Sequence, residues 1–91
     1  MLIISQNKEV LVNFDVSAGI EIAEGTTKTV ITSYITGCSY LLGEYSTKAK
    51  AMKVLDMIRE AYEGYDTERI YREGNYSIES FQMPEDSEVE V

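Results

Sequence analysis

A chain of 91 residues carrying a net charge of −8 and no histidine rules out several classes before any pattern is read. The length suits one domain, and the 44% apolar content suits a small core rather than disorder. Sequence-independent nucleic-acid binding, which needs several phosphate-neutralising cations, is disfavoured, and the single Cys38 excludes an intrachain disulfide and, with no histidine, a structural zinc site.

Leu2–Ile4 is a short apolar run closed by the polar turn Gln6-Asn7-Lys8. The next run alternates, with Val10, Val12 and Phe14 on one face and Leu11 and Asn13 on the other, so the two read as strands of a hairpin. Gly19–Ala23 repeats the alternation with Ile20 and Ile22 inward. After the turn Glu24-Gly25-Thr26-Thr27, the β-branched stretch Lys28–Thr36 reads as a fourth strand, broken at Gly37 and followed by a fifth over Ser39–Tyr45. Cys38 reads as a small, half-buried hydrophobe. Apolar residues occupy both faces of these strands. One helix covers one face, so the other is expected to meet the C-terminal segment or a second copy in a homo-oligomer.

A helix follows, with Ser46 or Thr47 as its N-cap. Ala51, Val54, Leu55, Ile58, Ala61 and Tyr62 recur at helical spacing as one apolar stripe. Gly64 suits the left-handed residue that ends a helix. Asp66–Arg72 suits either a short helix or an extended connection. Tyr76–Gln82 alternates as a last strand that Pro84 stops, and the acid-rich residues 85–91 read as a disordered tail. The pattern predicts an α+β fold over residues 1–84: a mainly antiparallel sheet of five or six strands with one long helix packed on one face.

The helix charges run against its dipole, which favours acids in the first turn and bases in the last. Lys48 and Lys50 open it, and Glu60 and Glu63 lie near its end. Residues 46–63 sum to +1, which leaves −9 for the rest of the chain. Backbone amides, the Ser46 and Thr47 hydroxyls and two ammonium groups therefore converge with no acid in the turn, a suitable seat for a phosphate. Tyr45, Tyr71 and Arg72, from the segments on either side, supply stacking and charge for a nucleotide-like ligand. Carboxylates are plentiful, but none is framed by a Gly-rich loop or an apolar setting. No phosphate-loop, dinucleotide or metal-loop motif occurs. No catalytic residue, metal or cofactor is assigned, and an enzyme is not expected.

Three segments, MLIISQNKEVLVNF, LGEYSTKAKAMKVLDMI and FQMPEDSEV, resemble in that order a family of small proteins encoded by phages and mobile elements of Gram-positive bacteria. The likeness spans most of the chain. Family members usually carry Glu at the position of Ala49, completing a capping box that is absent here. The resemblance implies no activity for particular residues. It does imply a mobile-element setting, in which small non-catalytic proteins often counter host defence. The expected function is a non-enzymatic anti-defence protein that sequesters a phosphate-bearing signal in a homo-oligomer. The alternatives are an acidic module that occludes a host protein, or a virion component. Met1–Glu9 lacks the basic start and apolar run of a secretory signal, and no apolar stretch approaches a membrane span. A cytoplasmic site is expected, that of the host cell for a phage product.

Overall fold

The computed structural model describes residues 1–17, 19–35, 37–71 and 80–90, with residues 65–71 given by their helical backbone only. Among these residues, six strands and one α-helix follow in the order β1 (Leu2–Ile4), β2 (Leu11–Asn13), β3 (Gly19–Glu24), β4 (Thr29–Ile35), β5 (Cys38–Tyr45), α1 (Lys48–Tyr71) and β6 (Ser80–Gln82). Short 3-10 turns cover Phe14–Val16 and Asp86–Glu88. The architecture is α+β.

The six strands form two three-stranded sheets rather than one. In the first, β1 lies between β2, antiparallel to it, and β6, which runs parallel. The second is the antiparallel meander β3-β4-β5, with a bulge between Ile31 and Thr32. With β2 on one edge and β6 on the other, β1 has no edge left for β5, and the chain turns after it at Lys8, held at a φ of 66°. Gln6 bridges the gap instead. Its N–H donates to the Leu42 carbonyl at 2.7 Å. Its side-chain amide accepts from the Glu44 N–H at 2.9 Å and donates to the Glu44 carbonyl at 3.1 Å. One side chain thus does the hydrogen bonding of a strand residue.

A single buried cluster joins the two sheets and the helix. Ile3, Val12 and Met83 come from the first sheet and the residue after β6. Ile31, Leu42 and Tyr45 come from the second sheet, and Ala51, Val54 and Ile58 from α1. The period-2 alternation that places Val12 inside leaves Leu11 and Asn13 exposed. In β4 it buries Thr29, Ile31 and Ser33 and turns Val30, Thr32 and Tyr34 the other way. The buried Ser33 hydroxyl meets the Ser17 hydroxyl at 3.0 Å, and among the described residues no buried side-chain polar atom lacks a partner. Between β4 and β5 the chain turns through Gly37 at a φ of 79°, a conformation other residues adopt only with strain. Cys38, just beyond it, is exposed rather than half-buried, because β5 starts outside the area that the core covers.

Gly64 does not end the helix. The helical backbone runs on to Tyr71, since an interior glycine costs only about 1 kcal/mol relative to alanine and seven further residues carry the hydrogen-bond ladder past it. A Cβ built on Gly64 meets nothing within 4 Å. Gly64→Ala is therefore expected to stabilise the fold by about 0.5–1 kcal/mol by restricting the unfolded chain. A lower thermal midpoint in the variant would show that the backbone needs glycine there.

The acidic C-terminus is built into the fold. Glu88 accepts from the Glu85 N–H at 2.9 Å and returns its own N–H to the Glu85 carbonyl at 3.0 Å. Val89 is 5% exposed within the core cluster. An apolar residue on the inner side of a self-capped turn gives this acidic stretch something to bury, which a purely solvated tail lacks.

Candidate functional site

The start of α1 is where the expected ligand-binding residues meet the C-terminal turn. Thr47 is the N-cap: its hydroxyl accepts from the Lys50 N–H at 3.2 Å, and its carbonyl accepts the first helical bond from Ala51 at 3.2 Å. Ser46 precedes the cap and aims its donors outward. Both go to Asp86, whose Oδ1 lies 2.8 Å from the Ser46 nitrogen and 3.1 Å from its Oγ. Lys50 Nζ completes the grip, 3.0 Å from the Asp86 carbonyl oxygen and 3.4 Å from Oδ2. The helix has no acid in its first turn. It takes one from 36 residues away instead, and the dipole and the lysine are neutralised in tertiary structure.

The Asp86 carboxyl is held below its ordinary range, first by the Ser46 backbone N–H, then by the Ser46 hydroxyl and by Lys50, with partial burial opposing. Tyr45 sits behind it with 1% of its surface exposed, donating its hydroxyl proton to the Pro84 carbonyl at 2.8 Å. Burial pushes the Tyr45 phenol up, and the nearby charges of Glu85, Asp86 and Glu88 add to the effect. Tyr45 is a strut under the C-terminal turn, with no face left for stacking on a ligand. Lys48 lies apart from this cluster and pairs with Glu24 at 3.2 Å, both side chains more than half exposed. Such a pair contributes at most about 1 kcal/mol.

Ser46, Thr47 and Lys50 are thus brought together, while Lys48 faces the end of β3. The side chain of Tyr71 and the whole of Arg72 lie outside the described residues. The two acids that answer these lysines, Asp86 for Lys50 and Glu24 for Lys48, have no part in the phosphate seat read from the sequence. The signal for Asp86 is the string EDSEV, where acids at i and i+3 and an apolar residue just beyond mark a capped turn. For Glu24 there is no local signal, because its contact with Lys48 depends on how β3 lies beside the helix.

Among the described residues, two hollows lie elsewhere. A cleft of about 360 Å³ is lined by Phe14, Ile20, Leu55, Ile58, Arg59 and Tyr62 among others, with the Phe14 and Tyr62 rings 4.8 Å apart. Its walls are mainly apolar, with Asp56 and Glu63 also in the lining, and the Arg59 guanidinium is bound to Glu63 at 3.2 Å. A notch of about 180 Å³ lies between the Gln6-Asn7 turn and residues 41–44. Neither adjoins the start of α1. Among the described residues no group of three or more acidic or cysteine side chains is placed to hold a metal, and no helix is long and apolar enough to cross a membrane. Comparison with protein-family models, curated proteins and solved structures returns no match.

Proposed function

We propose that the protein is a non-enzymatic, phage-type interaction module of the host cytoplasm whose acidic surface covers a basic face of a host protein. The observation that carries this reading is where the cations go. Lys28 pairs with Glu44, Lys48 with Glu24, Lys50 with Asp86 and Arg59 with Glu63. The chain spends these cations on its own carboxylates, and the surplus behind the net −8 is offered outward. The phosphate-seat reading has one observation in its favour: a single carboxylate receives the Ser46 N–H, the Ser46 hydroxyl and Lys50 together. A phosphate group of a nucleotide-like signal, captured to blunt host defence, takes the same donors if it displaces Asp86.

One pair of titrations separates the two. The interaction-module reading expects a lysine-rich peptide to bind at low salt, weaken steeply as salt rises, and weaken further in Glu85→Gln/Glu88→Gln. It expects no thermal shift with ADP-ribose. Sequestration expects the reverse: a rise in Tm with ADP-ribose that Lys48→Ala/Lys50→Ala abolishes. Peptide binding that ignores salt sinks the first reading, and an absent ADP-ribose shift sinks the second.

A further inference from the structure

We propose that the open edge of β5 over Cys38–Leu41 is a self-pairing surface, where a second copy of this chain adds its own β5 antiparallel. This goes beyond the proposed function and stands independently of it. β5 is a border strand in the order β3-β4-β5. Gln6 covers its outer edge from Leu42 to Glu44, and among the described residues the cover stops there. Cys38, Ser39, Tyr40 and Leu41 are all exposed, and β4 is the strand they pair with among the described residues.

Soluble proteins guard exposed strand edges with charge, proline or a covering segment. The opposite border, β3, follows that rule with Glu21 and Glu24. The β5 border does not. Residues 29–43 contain no Asp, Glu, Lys or Arg, in a chain of which 26% is charged. Large apolar side chains gather at the same place: Tyr40 is 38% exposed, Leu41 47% and Tyr34 39%. By the β4–β5 register Tyr34, opposite Ser39, and Leu41, opposite Thr32, share one face, while Tyr40, opposite Ser33, lies on the other, so the edge carries an exposed apolar side chain on each face.

Charge selects the occupant. A basic partner is recognised through carboxylates, and this edge has none. Two copies each carrying −8 repel everywhere except where both are neutral, and the neutral edge is this one. Pairing about a two-fold axis perpendicular to the sheet joins two meanders into one six-stranded sheet and brings Tyr40 and Leu41 of each copy against the other. A window of four residues forms few hydrogen bonds and covers little area, so the association is reversible and concentration-dependent rather than obligate.

Cys38 provides the test, because it is the chain's single thiol and lies inside the window. Strand spacings of about 4.8 Å across and 3.4 Å along place the two Cys38 Cα atoms roughly 8–14 Å apart for a two-fold at Ser39 or Tyr40. A short bismaleimide is expected to give a covalent dimer on a denaturing gel, and sedimentation velocity is expected to show mass rising toward a dimer with concentration. Leu41→Lys adds a charge at an exposed position, so its circular dichroism should match wild type while both dimer signals disappear. Two results overturn the proposal. One is a monomer at every concentration with no cross-link, which leaves the edge for another protein's strand. The other is a dimer that Leu41→Lys leaves intact, which puts the contact elsewhere.

Discussion

Ile31→Ala is expected to destabilise the protein by about 2–5 kcal/mol, the range for deleting a fully buried branched side chain whose surroundings collapse only in part. Ile31 is 0% exposed, lies opposite Ile22 on β3 and Gly43 on β5, and shares the buried cluster with Ala51, Val54 and Ile58. The cavity therefore opens at the junction of sheet and helix, where the close-packed side chains around it limit how far either element can move in to fill it. A chain of this length has a total stability of roughly 5–14 kcal/mol, so this one change removes a large share of it. In urea the midpoint should fall by about 1–2 M. Leu41→Ala, on β5 but 47% exposed, should stay within about 0.5 kcal/mol of wild type. A loss under about 1 kcal/mol for Ile31→Ala would mean that this face of β4 does not carry the core.

The contrast between Ile31 and Leu41 also marks how far the sequence can be read. Strict alternation separates the Val12 face from the Leu11 face, and helical spacing picks out a stripe that includes Ala51, Val54 and Ile58, because both patterns follow from local geometry. The strands were legible for the same reason. Their grouping into two sheets was not, because it rests on the Gln6 side chain reaching Glu44 across 38 residues of chain. The helix runs past Gly64 because the glycine stop signal is statistical, and here an interior glycine is tolerated. The partners of the candidate site residues were hidden on the same long-range ground. Ser46, Thr47 and Lys50 do converge, as the charge pattern at the start of α1 requires. The acid that answers them belongs to the C-terminus, in a stretch whose composition alone suggests disorder.

That corner sets the second large effect. Asp86→Ala removes the acceptor for the Ser46 N–H and hydroxyl and leaves Lys50 beside a helix start that no longer holds a negative charge. Tm is expected to fall by several degrees at neutral pH. Asp86→Asn should lose less, since the amide oxygen still accepts from Ser46. The sign of the pH dependence follows from the depressed carboxyl: the folded state binds this proton less readily than the unfolded chain. Its contribution is full above the ordinary value of 3.8 and is lost as pH falls through the lower folded value. The difference between wild type and Asp86→Asn should therefore be constant from neutral pH down to about 5 and vanish in acid. Tyr45 bounds the other side. Its raised phenol keeps it neutral in the fold while the unfolded chain ionises above 10, so stability should decline with rising alkalinity. Tyr45→Phe should remove that decline while losing the bond to Pro84, at about 1 kcal/mol. If the gap between wild type and Asp86→Asn persists unchanged below pH 3, a charged Asp86 does not hold the C-terminal turn to the helix, and the corner is fastened by Val89, the Tyr45 bond to Pro84 and the Lys50 bond to the Asp86 carbonyl.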